Sequence, residues 1–149
     1  MIAVNDVFSL RGGWVLHPEY RCRMLEDVVY TGRAKTPQFQ SLSIYAPEPY
    51  LTADGRVDPA GTCGRFTAAT APVVFENNAA GYLQMPHTRL GDSRDGAAKY
   101  LERGMVYVTC GCRGRDSRDA DGVLCGKSPW SLVDLKTALR FLRHSREAL

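Results

Sequence analysis

Hydrophobic and polar positions divide the chain into short β-type runs separated by polar loops. β-Branched and aromatic residues dominate 26–31 (EDVVYT) and 41–46 (SLSIYA), and a polar loop lies between them. This arrangement predicts two antiparallel strands. Residues 1–23 show no regular period and predict an irregular lead-in. The stretch 52–70 is rich in Thr, Gly, Asp and Pro, which predicts a surface loop.

Two apolar runs farther along the chain predict buried strands joined by a helix. Residues 71–76 (APVVFE) and 105–110 (MVYVTC) are almost continuously apolar. Between them, 94–103 carries apolar residues at helical spacing and ends at Gly104, the residue type that commonly terminates helices. A strand, a helix and a strand in this order predict a parallel strand pair with a right-handed crossover.

The last periodic stretch predicts a long amphipathic helix. It is expected to begin at Ser128 and Pro129, because Ser caps helices and Pro suits the first helical position. Four leucines at spacings of three and four predict the face that packs on a sheet: Leu132, Leu135, Leu139 and Leu142. Residues 1–149 are therefore expected to form one α/β domain, whose mixed sheet has an antiparallel start, then parallel strands, and flanking helices.

Composition agrees with one globular domain and excludes several partner classes. Hydrophobic residues make up 44% of the 149 residues, and the formal charge is +3. No apolar run reaches the roughly 18–20 residues that a membrane span needs. The first residues lack the basic region and long apolar segment of a secretory signal. We therefore expect a cytoplasmic location with no membrane partner and, given the small charge excess, no nucleic-acid partner.

The five cysteines do not form a dense disulfide framework. Their odd number and the missing signal favour reduced thiols. Cys110, Cys112 and Cys125 allow a three-thiol zinc site to be imagined, but the paired C-x-x-C knuckles of such sites are absent. Small buried hydrophobes are the favoured interpretation, and no metal or cofactor is expected.

Two catalytic or phosphate-binding motifs are tested and rejected. Gly126-Lys127-Ser128 precedes a helix, but a Walker A loop needs a glycine at position 121, where Asp stands. No serine has the two flanking glycines of a G-x-S-x-G nucleophile elbow. The three histidines, His17, His87 and His144, are not in a recognisable acid–base setting. The sequence alone therefore predicts no nucleophile–base pair.

Several segments together resemble one family. Residues 71–83 (APVVFENNAAGYL) are similar to the strand and oxyanion-loop segment of bacterial tannase-like and feruloyl-esterase-like α/β-hydrolases. Residues 107–116 (YVTCGCRGRD), 126–129 (GKSP) and 133–143 (VDLKTALRFLR) resemble that family's G-x-R-G-R, G-K-A-P and V-D-L-K-A-A-x-R-Y-L-R segments. The resemblance covers residues 40–146 and is strongest over 105–144.

The resemblance implies a partial α/β-hydrolase fold and serine-dependent hydrolysis of phenolic (galloyl or feruloyl) esters. In the family the nucleophile elbow, the acid and the histidine follow the final helix described above. The chain is therefore expected to be the truncated, non-catalytic N-terminal portion of such an enzyme, with a phenolic ester substrate only when a C-terminal chain completes it. The alternative is a non-enzymatic binding or assembly module that reuses this frame. An unpaired sheet edge also predicts self-association.

The resemblance and the loop sequences name the candidate site residues. The backbone N–H groups of Ala80 and Gly81 are placed at the family's oxyanion loop, where Ala80 replaces a glycine and is tolerated only if its φ is ordinary. A carboxylate near a helix start can also accept a guanidinium from the preceding loop. We therefore expect Arg113 or Arg115 to pair with Asp134 in a structural role.

Overall fold

A computed structural model describes residues 13–92 and 96–145, which form a five-stranded mixed sheet, a small hairpin and two helices. The strands are β1 (Val15–His17), β2 (Cys22–Val29), β3 (Ser41–Pro47), β4 (Thr62–Cys63), β5 (Phe66–Thr67), β6 (Val73–Asn77) and β7 (Val106–Cys110). The helices are α1 (Ala97–Leu101) and α2 (Trp130–Ser145).

The large sheet has the strand order β1-β2-β3-β7-β6, so β6 lies at an edge. Strands β1, β2, β3 and β7 are antiparallel neighbours, whereas β6 and β7 run parallel. Ile44 pairs with both Leu25 and Val108, which fixes the register at the centre of the sheet. The predicted antiparallel and parallel pairs are confirmed, and α1 lies between β6 and β7 along the chain.

Two segments are more regular than their sequences predict. The lead-in is not irregular throughout, because β1 pairs with β2 and β2 already begins at Cys22. Residues 52–70 are not only loop, since β4 and β5 form a short antiparallel hairpin. Strands of two or three residues leave too few alternating positions for a period to be recognised. The part of the lead-in at 1–12 lies outside the described residues.

The helices pack against opposite faces of the sheet. Along β3, Leu42 and Ile44 contact the core that includes Ala138 and Phe141 of α2. Tyr45 points to the other face, where the core includes Ala97 and Leu101 of α1. This alternation follows the two-residue period of a strand. Both faces of β3 are covered, and all seven of its residues are buried.

The predicted leucine face of α2 is only partly right, because Leu135 and Leu142 pack against the core whereas the other two leucines are exposed. Leu132 and Leu139 are exposed, at 60% and 44%, while Leu135 and Leu142 are only partly buried. The buried face is instead formed by Asp134, Ala138, Phe141 and Ser145. The leucine spacing predicts the helix but not its rotation, because a buried ion pair at Asp134 turns a polar residue inward. The helix also begins at Trp130, so Pro129 precedes it rather than occupying its first position.

Within the described residues, no helix is both long and apolar enough to cross a membrane.

Candidate active site

The loop that follows β6 lies at the carboxyl end of the parallel strand pair. It includes a short 3₁₀ turn, Ala80–Tyr82, in which Gly81 has φ +62° and Tyr82 has φ +57°. Ala80 is not in the left-handed region, so its side chain costs no backbone strain there. The left-handed conformation falls on Gly81 instead. No heavy atom lies within 4 Å of the position that a Cβ would take at Gly81.

The backbone N–H groups of this loop are available for a ligand. Tyr82 and Leu83 donate to the carbonyls of Ala79 and Ala80, whereas Ala80 and Gly81 donate to no acceptor within the described residues. Both residues are exposed. Two exposed, unpaired N–H groups at the carboxyl end of a parallel strand suit an anionic oxygen.

The loop is held in place by close backbone packing against the segment that contains Gly114. Gly114 contacts residues 82–84 so closely that a Cβ there would overlap the nitrogen of Gln84 and the carbonyl carbon of Leu83. Gly126 approaches the carbonyl of Gly114 just as closely. The backbone N–H of Arg115 also donates to the carbonyl of Tyr82, at 2.7 Å. The G-x-R-G-R and G-K segments therefore build the support beneath the loop.

A buried ion pair fixes that support to α2. Arg113 Nη2 lies 2.6 Å from Asp134 Oδ1, and Arg113 Nε donates to Asp134 Oδ2 at 2.8 Å. The same carboxylate accepts hydrogen bonds from the Arg113 backbone N–H and from Gln40 Nε2, each at 3.0 Å. The side-chain hydrogen bonds that Arg113 donates to Asp134 raise the pKa of Arg113 above its already high value. The pair is satisfied on both sides, as a buried charge requires.

The two arginines named from the sequence have different positions. Arg113 is buried, and its guanidinium also lies 4.7 Å from the ring centroid of Trp130 and donates to the carbonyl of Cys125. Arg115 is exposed and does not reach Asp134. Its side chain instead lines a groove beside the loop.

That groove, which we call the loop groove, has a volume of about 620 Å³. Its wall is mostly apolar and includes Ala79, Tyr82, Arg115, Pro129, Leu132 and Leu135. The groove therefore joins the loop after β6 to the first turns of α2, where it exposes apolar surface.

The cysteines do not form a metal centre in the described part of the chain, where no group of three His, Cys, Asp or Glu side chains could hold a metal ion. Cys110 and Cys112 are buried and Cys125 is partly buried. Burial raises the pKa of the Cys112 thiol to about 11, and it also raises the pKa of the Cys110 thiol well above its usual value. Both thiols are therefore protonated near neutral pH and behave as small core residues.

The structure brings together one serine–histidine contact that the sequence did not predict. Ser41 Oγ lies 3.0 Å from His87 Nδ1, and His87 Nε2 lies 3.2 Å from Asp27 Oδ1. Ser41 and His87 are separated by 46 positions and belong to no shared motif, so no local signal could have found them. Ser41 is only 2% exposed, which excludes attack on a substrate in this conformation.

Comparison with known proteins identifies similar structures. No protein-family profile matches the sequence, and no curated protein is significantly similar to it. The Fusobacterium nucleatum tannase is 30% identical over 83% of this chain and 25% of its own chain, with a TM-score of 0.69. A Lactobacillus plantarum tannase is 26% identical over 86% of this chain and 27% of its own, with a TM-score of 0.73.

A third solved structure, a tannin acyl hydrolase in complex with ethyl gallate, is 26% identical over 86% of this chain and 28% of its own, with a TM-score of 0.71. The chain thus spans about a quarter of the length of the solved tannases it matches. The expected resemblance to tannases is confirmed.

Proposed function

We propose that this chain is the non-catalytic N-terminal portion of a tannase-like serine ester hydrolase, and that it supplies the oxyanion loop. The observation that carries the proposal is the pair of unpaired, exposed N–H groups at Ala80 and Gly81, in a chain similar to tannases over most of its length. The similarity to solved tannases supports an ester-hydrolase-like region in this chain.

The loop suits the chemistry of ester hydrolysis. Attack on an ester carbonyl places negative charge on the former carbonyl oxygen, and preorganised backbone donors stabilise that charge. The close backbone contacts of Gly114 and Gly126 keep the loop in place. The N–H donors therefore need little rearrangement when the negative charge develops. In α/β-hydrolases one such donor comes from this loop and another from the residue after the nucleophile.

The nucleophile of this hydrolase comes from residues outside the chain. No G-x-S-x-G occurs in the sequence, and Ser41, which contacts a histidine, is buried. In an α/β-hydrolase the serine lies on a turn between a strand and a helix, close to the oxyanion loop. The loop groove beside Ala79 and Leu132 has room for such a segment.

The complementing segment pairs with the free edge of β6. Among residues 13–92 and 96–145, this strand has only β7 as a neighbour in the sheet, and Val73 on it is 57% exposed. An unpaired edge is a template for a further strand. When no complementing segment is present, the same edge is expected to pair with a second copy of the chain. A phenolic ester is the substrate of the completed hydrolase.

Methyl gallate hydrolysis tests the proposal. The chain alone should show only background turnover, and the same chain joined to the residues encoded directly after Leu149 should hydrolyse the ester. That activity should disappear when the serine of a G-x-S-x-G in the added residues is changed to alanine. Robust turnover by the chain alone would contradict the proposal, as would the absence of any such element from the added residues.

A further inference from the structure

The oxyanion loop continues directly into an extended segment that crosses the ends of β3 and β7. We call residues 84–89 the strap. Its first half pairs with the loop after β7, since Met85 and Cys112 exchange two backbone hydrogen bonds of 3.2 and 3.3 Å. The backbone N–H of Gln84 also donates to Asp116 Oδ1 at 2.8 Å. The strap is therefore the downstream anchor of the oxyanion loop.

The second half of the strap is held by buried side chains. His87 and Thr88 are 6% and 3% exposed, although the strap lies at the end of the sheet. The backbone N–H of Thr88 donates to Thr109 Oγ1 at 3.0 Å, and the two threonine hydroxyls are 2.8 Å apart. His87 Nδ1 contacts Ser41 Oγ on β3, and its Nε2 faces Asp27 on β2.

A bulge in β2 brings Asp27 to this position. The register of β2 against β3 shifts between Leu25 and Val28, and Asp27 has φ +56°. Bulges redirect side chains, and Asp tolerates the left-handed conformation better than most residues. The Asp27 carboxylate also accepts two hydrogen bonds from Arg89 Nη2, at 2.7 and 2.8 Å. One carboxylate thus faces both His87 and Arg89 of the strap.

We infer that Asp27, His87 and Ser41 form a positioning chain that fixes the strap and, through it, the oxyanion loop. The inference rests on the proposed function for the identity of that loop. His87 acts through the strap and touches no reacting atom, so it is a positioning residue. The three residue types are those of a serine-hydrolase triad, but the burial of Ser41 assigns them this different role.

A direct contact links the strap to the start of the loop. Asn78 Nδ2 donates to the carbonyl of Pro86 at 3.0 Å, immediately before His87. The Asn78 backbone N–H donates to the carbonyl of Cys110, also at 3.0 Å. The loop from Asn78 to Leu83 is therefore closed at both ends by contacts to the strap and to β7. A shift of His87 would move Pro86 and loosen the closure.

The carboxylate beside the imidazole favours one tautomer. The negative charge of Asp27 near Nε2 favours a hydrogen on Nε2, which leaves Nδ1 to accept from the Ser41 hydroxyl. The 3.2 Å approach to Asp27 falls short of a well-aligned hydrogen bond, so the carboxylate acts mainly through its charge. This tautomer is a property of the folded chain and can be measured without any substrate.

Amide hydrogen exchange of the folded protein, measured for each segment of the chain, tests the inference. Asp27→Asn keeps the side-chain shape but removes the charge, and His87→Gln removes the imidazole. Each should raise the amide exchange of 78–89 by about tenfold or more. Exchange in the strands 41–47 and 106–110 should change by less than about twofold. Arg56→Ala, which removes the exposed Arg56–Asp54 pair, should change neither region.

Three outcomes would overturn the inference: unchanged exchange over 78–83, an equal rise throughout the sheet, or labelling of Ser41 by a fluorophosphonate. If both variants fail to fold, ¹⁵N NMR of the wild-type imidazole decides the matter. The expected result is a neutral ring with hydrogen on Nε2, and a hydrogen on Nδ1 would refute the chain of contacts. Neither hydrogen exchange nor the NMR measurement depends on esterase activity, so a negative result in either would leave the proposed function standing. Labelling of Ser41 would contradict both the inference and the proposed function.

Discussion

Asp134 of α2 receives the guanidinium of Arg113 in a two-pronged ion pair, with Nη2–Oδ1 at 2.6 Å and Nε–Oδ2 at 2.8 Å. Arg113 immediately precedes Gly114, on which the loop after β6, the proposed oxyanion loop, rests. The pair therefore joins the longest helix to the support of the candidate site. Gln40, immediately before β3, also donates a hydrogen bond from its side chain to the Asp134 carboxylate.

Replacing Asp134 by alanine should destabilise the protein strongly. The change leaves the buried Arg113 guanidinium without its partner, which typically costs about 3–5 kcal/mol. The free energy of unfolding in urea measures the loss, and limited proteolysis should cut first within 111–127. Asp54→Ala breaks the exposed Arg56–Asp54 pair and should leave both readouts unchanged. Equal stability of the two variants would contradict the structural role of Asp134.

Gly114→Ala should displace the loop after β6. A methyl group at this position overlaps the backbone of residues 83 and 84, and backbone atoms cannot move aside as a flexible side chain can. We expect a loss of at least about 2 kcal/mol in unfolding free energy and altered amide NMR shifts over 80–84. Gly96→Ala is the matched control, because Gly96, like Gly114, has no positive φ, and its Cβ position meets only ordinary contacts, at 3.7 Å or more. Shifts over 80–84 in the control alone would refute the packing argument.

The buried face of α2 can be tested by one substitution on each side of the helix. Phe141→Ala opens a cavity in the core against the sheet and should cost about 3–5 kcal/mol. Leu132→Ser removes a side chain that is 60% exposed and should change stability by less than about 1 kcal/mol. Thermal denaturation compares the two variants. A larger loss for Leu132→Ser would restore the leucine face predicted from the sequence.

Stability should fall below neutral pH because of His87. Burial lowers the pKa of His87, an effect that nearby Asp27 opposes. The unfolded chain therefore takes up a proton near pH 6.5 while the folded chain resists it. The stabilisation is fully present above pH 6.5 and is lost as the pH falls toward the lowered pKa.

The pH effect is isolated by comparing wild type with His87→Gln by urea denaturation between pH 8 and pH 5. Asp27, Glu26, Arg89 and Asp92 also face this region, and burial raises the pKa of Glu26, which opposes the histidine effect at lower pH. These groups are present in both proteins, so the difference reports on His87. The pH slope should be flatter in the variant, and parallel curves would show that His87 does not titrate as described.

The sheet was predictable because its strands carry strong local signals. The runs at 41–46, 71–76 and 105–110 are bounded by turn residues, so their positions followed from pattern alone, as did the pairing of 41–46 with the preceding strand and of 71–76 with 105–110. The antiparallel pairing of β3 with β7 did not follow from any local pattern. The rotation of α2 did not follow from the leucine spacing, because the sequence predicted an arginine partner for Asp134 but not that this pair, formed across 21 positions, is buried. The contact of Ser41 with His87 was not predictable either. Neither residue belongs to a recognisable motif, and the two meet only because β3 and the strap pack together.

The candidate site was predictable only in part. The loop at Ala80 and Gly81 was named through the family resemblance, whereas the conformation of Ala80 required the structure. The sequence named Arg113 and Arg115 as equivalent partners for Asp134. The structure separates them into a buried and an exposed residue on either side of Gly114, whose missing side chain allows the chain to pass close to residues 82–84.

The most direct test of the central claim is a loop exchange. Residues 78–83 of this chain replace the corresponding loop of the Fusobacterium nucleatum tannase, and kcat/KM is measured with methyl gallate. If these residues supply an oxyanion donor, the folded hybrid should retain kcat/KM within about tenfold of the parent enzyme. A loss of about 10²–10³-fold in kcat, the size expected when an oxyanion donor is removed, would contradict the account.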